Sequence, residues 1–361
     1  MTQISADERS NTNPLQGKGA PPALGRSVTL QFGNNALLSQ LLGDHDRHLI
    51  RIEQALGIRL ACRGNRIAIT GDEAGIETAQ ATLNGLYERL ERGHKLSSSD
   101  VDAAIKLNTR SAEPRLPLAD LPAIRTRKGA IQPRSQAQAG YMEMLARNEM
   151  VFGVGPAGTG KTYLAVAQAV AMLQTGQVDR IILSRPAVEA GERLGFLPGD
   201  MKEKVDPYLR PLYDALNDMM PGDQLARRMA AGEIEVAPLA FMRGRTLSHA
   251  FAILDEAQNT TSMQMKMFLT RMGEGTRMVI TGDPTQVDLP PGIGSGLVDA
   301  LATVEGVQGI GVTRFGQQDV VRHPLVARIV AAYDQRATAE RDVVRDARRH
   351  RPRESESGTS K

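Results

Sequence analysis

Cysteine is nearly absent from these 361 residues: Cys62 stands alone. That excludes a disulfide within the chain and argues against a cysteine-based zinc site. The six histidines are scattered, with no metal-type HxxxH pair. No apolar run approaches the roughly 18 residues that a membrane span needs. Residues 1–25 are polar and rich in Asn, Pro and Gly, without the apolar centre of a secretory signal. These absences lead to the expectation of a cytoplasmic protein with no membrane contact. An excess of charge is missing too. The formal net charge is +3, but removing the eight basic and five acidic residues of 336–361 leaves 36 of each sign. Any basic surface on the body must therefore come from local clustering.

The residues present are enough for two or three domains, with hydrophobic residues at 41%. Residues 1–26 read as a disordered arm. Residues 27–92 read as a compact unit in the order β-α-α-β-β-α. SVTLQF at 27–32 alternates as a strand, 35–42 is a short helix, and 48–56 places Leu49, Ile52 and Leu56 at helical spacing before Gly57. Two strands at 58–62 and 66–70 meet at Arg63-Gly64-Asn65, and 73–92 is a long amphipathic helix. Residues 93–135 read as a linker, with a helix near 98–107 capped by one of three serines. Pro114, Pro117, Pro122 and Pro133 break any regular pattern in the rest of the linker. Arg125, Arg127, Lys128 and Arg134 cluster there, either as solvated linker charge or as a basic strip for phosphate backbones.

From residue 136 to 335 short apolar runs alternate with helical patterns. The runs at 150–154, 180–184, 251–254 and 277–281 are of buried-strand type. The alternation predicts an α/β fold: a parallel sheet covered by helices, with the small α+β unit ahead of it. Residues 336–361 read as a charged tail.

The segment Gly155-Pro156-Ala157-Gly158-Thr159-Gly160-Lys161-Thr162 matches GxxxxGK[ST] between an apolar strand (MVFGV) and an alanine-rich helical run. The glycines let backbone N–H groups turn toward a phosphate, Lys161 brings charge to the β- and γ-phosphates, and the Thr162 hydroxyl suits Mg²⁺. A helix beginning near Gly160 adds the positive end of its dipole. About 95 residues on, the apolar run before Asp255-Glu256 ends in two carboxylates. Asp255 is the expected Mg²⁺-side carboxylate, and Glu256 the group that orients the attacking water. A third strand ends at Gly282-Asp283-Pro284-Thr285-Gln286, where Gln286 is a candidate γ-phosphate sensor. ATP with Mg²⁺ is the expected ligand pair.

DEAQ at 255–258 and GDPTQ at 282–286 look like motifs II and III of superfamily 1 helicases. Longer stretches are more specific: SRPAVEAGERLGFLPGDMKEKVDPYLRPLYDAL at 184–216, APLAFMRGRTL at 237–247 and DVVRHPLVARIVAAYD at 319–334. Together they resemble the PhoH-like family of bacterial cytoplasmic ATPases, over roughly residues 27–334. The resemblance implies a RecA-like P-loop core, ATP binding and hydrolysis, and a link to RNA metabolism, including work beside a ribosomal-RNA endonuclease. It also implies that Gln138, three residues before Tyr141, reads adenine; Gln136 in the same stretch (RSQAQAGY) is the alternative. The small unit resembles a type I KH domain. Its loop, Gly43-Asp44-His45-Asp46, lacks the second glycine of the GxxG clamp and carries two carboxylates where phosphates sit.

Helicases of that superfamily place ATP between two RecA-like domains of one chain. Only 75 residues follow Gln286 here. A second such domain needs on the order of 150. The expectation is a head-to-tail homo-oligomeric ring, by analogy a hexamer, whose neighbour supplies an arginine. Arg322 is the first choice and Arg314 the second; Arg322 pairing with Asp319 at a helix start is the alternative.

Overall fold

The computed structural model describes residues 26–109, 121–186 and 201–321, with Val326 and Ile329 beyond them; within the segment that starts at 201, side chains are described from residue 208. The arm at 1–25, Pro114, Pro117, residues 187–200, Arg322 and the tail lie outside the described residues. The chain divides into two compact units, Met1–Asp319 and Val320–Lys361, and nearly all of the second lies outside the described residues.

The first region runs β1 (Arg26–Gln31), α1 (Asn35–Leu42), α2 (Arg47–Leu56), β2 (Arg59–Arg63), β3 (Arg66–Gly71), α3 (Glu73–Glu91) and α4 (Ser98–Thr109). Up to α3 this is the order read from the sequence. Local chemistry sets the boundaries. Asn34 accepts the Ala36 and Leu37 N–H groups to start α1, Asp72 accepts that of Gly75 at the start of α3, and Gly57 turns left-handed (φ 67°) to end α2. The strands form an antiparallel sheet in the order β1-β3-β2. Its apolar face buries Ile67 and Ile69 against Leu41, Ile52, Leu83 and Leu86. Helix α4 belongs to this core as well, through Val101, Ala104 and Ile105. Ser97 and Asp100 cap it reciprocally, and Arg51 pairs with Asp102. The packed region therefore runs past Arg92 to Thr109, because the helix expected in the linker carries an apolar face of its own.

The second region starts with a two-stranded hairpin, β4 (Ile124–Thr126) and β5 (Gly129–Ile131). Ile124 enters the main core, and the Lys128 ammonium donates to the Asn217 carbonyl at 2.5 Å. This part of the expected linker is thus packed structure, while Arg125, Arg127 and Arg134 stay exposed. The chain continues through α5 (Gln136–Arg147), β6 (Met150–Val154), α6 (Lys161–Gln174), β7 (Arg180–Arg185), α7 (Met201–Met219), α8 (Gly222–Ala230), β8 (Ile234–Pro238), β9 (Ala250–Leu254), α9 (Ser262–Leu269), β10 (Arg277–Gly282), α10 (Gly296–Thr303) and β11 (Ile310–Arg314). Six strands form one parallel sheet in the order β11-β6-β10-β9-β7-β8.

Both faces of the sheet are covered, which is why its central strands read as unbroken apolar runs. Ile181, Leu183, Ile253 and Val279 pack on one face with Leu164, Val170 and Leu212. Ile182, Ala252, Leu254 and Ile280 pack on the other with Met265, Phe268 and Leu297. The strand order reverses direction around β6 and β10: from β6 the chain crosses to β7 on one side, and from β10 it crosses back over β6 to β11. Open parallel sheets bind ligands at the carboxyl ends of strands at such a point. Among the described residues no helix is long and apolar enough to cross a membrane.

Candidate nucleotide site

Three adjacent strands, β6, β10 and β9, deliver the site. At the end of β6 the chain enters the phosphate loop, where Gly155, Gly158 and Gly160 all take positive φ (142°, 81° and 81°). Gly155 is also a close approach: a Cβ there would lie 2.4 Å from the Phe315 carbonyl oxygen, and its N–H donates to the Gly282 carbonyl at 3.1 Å. Only glycine meets both demands. Thr159 is buried, its hydroxyl donating to the Pro156 carbonyl at 2.9 Å. Ala157, Gly158, Gly160, Lys161 and Thr162 line the cleft above.

Lys161 opens α6 and is only 8% exposed. Its ammonium donates to the carbonyls of Gly155 (2.6 Å) and Pro156 (2.8 Å). Burial lowers its pKa, and the charges of Asp283, Asp255 and Glu256 oppose that shift. The result is a desolvated cation whose charge three nearby carboxylates favour, held at the first turn of a helix. That suits a polyphosphate.

Next along α6, the Thr162 hydroxyl donates to Asp255 Oδ1 at 2.6 Å. The Thr281 hydroxyl, from the end of β10, donates to the same oxygen at 2.8 Å. The Asp255 N–H donates to the Ser184 carbonyl on β7, which fixes the residue at the strand end. One hydroxyl and one carboxylate, both hard oxygen donors, are what Mg²⁺ takes from a protein when phosphate oxygens and water complete its shell. Thr162 and Asp255 fit that ion by donor chemistry and by proximity.

Glu256 comes next, in a left-handed backbone setting, φ 51°. Its Oε1 lies 2.9 Å from Arg185 at the end of β7, and its Oε2 accepts from the Gln258 side-chain amide at 2.5 Å. Gln258 Oε1 in turn accepts the Asp283 N–H at 3.0 Å. Asp283 is buried and organises its loop, accepting the N–H and hydroxyl of Thr285 (2.9 and 2.7 Å) and the Gln286 amide (2.8 Å). Gln286 itself is exposed and lines the cleft.

The structure thus gathers Ala157, Gly158, Gly160, Lys161, Thr162, Asp255, Glu256 and Gln286 at one cleft, with Gly155, Pro156 and Thr159 in the same loop but not lining it. Gln138 does not line that cleft but touches the phosphate loop. Its buried amide accepts the Arg134 N–H (2.6 Å) and donates to the Thr159 carbonyl (2.9 Å), so both of its ends hold backbone at the foot of the phosphate loop. Gln136 is exposed on the same helix. Arg314 is exposed at the end of β11, and Arg322 lies outside the described residues. Sequence reasoning did not single out Thr281 or Gln258, and it gave Arg185 no role of its own. Thr281 and Gln258 lie within or beside motifs already in view. Arg185 lies in the family-like stretch at 184–216 and was one of several arginines open to a phosphate, intersubunit or nucleic-acid contact, but nothing in the sequence paired it with Glu256.

A family model described as PhoH-like protein matches residues 130–334. A PhoH-like protein of Bacillus subtilis (strain 168) is 50% identical over 296 residues, 81% of this chain and 93% of its own. This chain belongs to the PhoH-like family. A PhoH-like protein of Mycobacterium tuberculosis (strain ATCC 25618 / H37Rv) is 50% identical over 299 residues, 82% of this chain and 85% of its own. Protein PhoH of Escherichia coli (strain K12) is 47% identical over 205 residues, 56% of this chain and 58% of its own. Together with the phosphate loop, membership makes this PhoH-like chain a P-loop NTPase.

Proposed function

We propose that this chain hydrolyses ATP with Mg²⁺ and uses the hydrolysis to remodel RNA. The carrying observation is the triangle of Thr162, Thr281 and Asp255, closed by hydrogen bonds between α6, β10 and β9, with Glu256 one residue beyond. It sets a metal-side oxygen pair beside both a buried lysine and a second carboxylate able to direct water. In this reading Lys161 exchanges its two carbonyl contacts for phosphate oxygens, and the loop N–H groups take the β-phosphate. Thr162 and Asp255 would hold Mg²⁺, which supplies positive charge against the phosphates as negative charge builds. Glu256 orients the attacking water, and Gln286, steadied by Asp283, meets the γ-phosphate side. Gln138 holds the phosphate loop through the Thr159 carbonyl, and adenine is the base it is proposed to read, as in the family this chain resembles.

The cleft lies on a single sheet, so the charge-neutralising arginine is proposed to come from a neighbouring copy in a head-to-tail ring, a hexamer, with Arg322 first and Arg314 second. RNA, handled beside an endoribonuclease, is the proposed partner. A non-motor switch is the second reading, and the two acidic residues of the small region's loop favour it. They make that region a poor phosphate clamp, so nucleotide would set the affinity for a protein instead.

ATP turnover with and without single-stranded RNA separates the two. Stimulation supports remodelling; RNA-independent turnover with nucleotide-dependent partner binding supports the switch. Mixing Arg322→Ala with Lys161→Ala subunits tests the shared site. Partial recovery of turnover supports it, and no recovery in mixtures shown to co-assemble overturns it.

A further inference from the structure

A glutamate that orients water needs a fixed direction, yet its side chain has three rotatable bonds. Here Glu256 is gripped from both sides. Arg185 comes from β7, the neighbour of β9 on one side, and lies 2.9 Å from Oε1. Gln258 donates to Oε2 and is itself braced by the Asp283 N–H, at the end of β10 on the other side. The second nitrogen of the Arg185 guanidinium donates to the Tyr208 carbonyl in α7 at 2.8 Å. An unbroken series of polar contacts therefore crosses three neighbouring strand ends: Tyr208, Arg185, Glu256, Gln258, Asp283 and Gln286.

We infer that Arg185 is the positioning residue for Glu256 and makes the placement of α7 a condition of hydrolysis; this rests on the reading of Glu256 as the water-orienting group. Arg185 does not line the phosphate cleft, whereas Glu256 does. The arginine thus acts through the glutamate and not on the nucleotide. A guanidinium suits the task because its planar fork reaches two acceptors in fixed directions at once. The left-handed backbone at Glu256 adds to the case. A glutamate takes that setting at a cost, and the surroundings that hold it there also aim its side chain.

The test is a double-mutant cycle on the full chain: wild type, Arg185→Ala, Glu256→Gln and both, with ATP turnover and nucleotide affinity measured separately. Arg185→Ala is expected to lower kcat by about 10- to 100-fold, the scale of a small misplacement of a reacting group, while KM and nucleotide affinity stay within about twofold. In the Glu256→Gln background the arginine substitution should have almost no further effect. Arg185→Lys keeps the charge without the fork and should fall between; it replaces the alanine variant in the cycle if that one melts early. Unchanged kcat, a parallel loss of nucleotide affinity, or a slowing of equal size in the Glu256→Gln background would overturn the inference. If Glu256→Gln alone is silent, the role of Glu256 in the proposed function falls, and this inference with it. If Glu256→Gln is slow and Arg185→Ala is not, only this inference falls.

Discussion

Two loops in this chain begin with a glycine of positive φ and lead into a helix. One is Gly155 to Thr162; the other is Gly43 to Asp46, where Gly43, His45 and Asp46 have φ of 71°, 54° and 56°. Both turn through residues of positive φ. Side-chain charge separates them. The first loop ends in a buried lysine and offers a hydroxyl to Asp255. The second presents Asp44 and Asp46, and Asp44 is already paired with Arg47 at 3.4 Å. A loop that can turn its amides outward becomes an anion site only when the nearby charge agrees. Of these two loops, only the first satisfies that condition.

The sharpest way to break the comparison is to remove the cation. Lys161→Ala is expected to abolish turnover and to weaken nucleotide binding at least tenfold, measured by titration with a fluorescent nucleotide. Placing the same small change in both loops comes next. Gly155→Ala puts a methyl 2.4 Å from a backbone oxygen at φ 142°, so the loop itself must move and nucleotide affinity should fall steeply. Gly43→Ala meets the His48 ring at 2.9 Å, in a positive-φ setting with φ 71° and ψ 174°. It should cost the small region about 1–3 kcal/mol in a denaturant melt and leave ATP turnover as it was. The smallest expected effect sharpens the contrast from the other side. The fragment 26–109 should bind single-stranded RNA weakly, and Asp44→Asn with Asp46→Asn should raise that affinity several-fold at low salt, with the gain shrinking as salt rises. Tight RNA binding by the unaltered fragment would contradict this reading of the second loop.

How legible each part was in the sequence depends on where its information lies. The strands β6, β7, β9 and β10 are buried on both faces, so their apolar runs stood out. The edge strands β8 and β11 have mixed burial and did not. Helix α4 was visible as a helix but not as part of the first core, because the spacing of Val101, Ala104 and Ile105 says that a face is apolar without saying what covers it. In the site, Lys161 and Thr162 were readable because phosphate chemistry dictates the spacing within their loop, and Asp255 and Glu256 because they end an apolar run. The grip of Arg185 on Glu256 spans 71 positions and exists only once β7 and β9 pair. Gln138 shows the opposite limit: the residue stood out, but its two backbone contacts, to Arg134 and Thr159, could be known only from the folded chain.

The central claim is that Glu256, standing beside the Thr162–Asp255 pair, turns nucleotide binding into hydrolysis. The direct measurement is phosphate release by Glu256→Gln at saturating ATP and Mg²⁺, alongside its affinity for ATP. The substitution keeps the shape of the side chain and an oxygen for Arg185 while removing the carboxylate charge. ATP affinity should stay close to that of the wild type, and phosphate release should be slower by ~10²-fold or more. Release at the wild-type rate, with ATP bound as tightly as before, would contradict the claim.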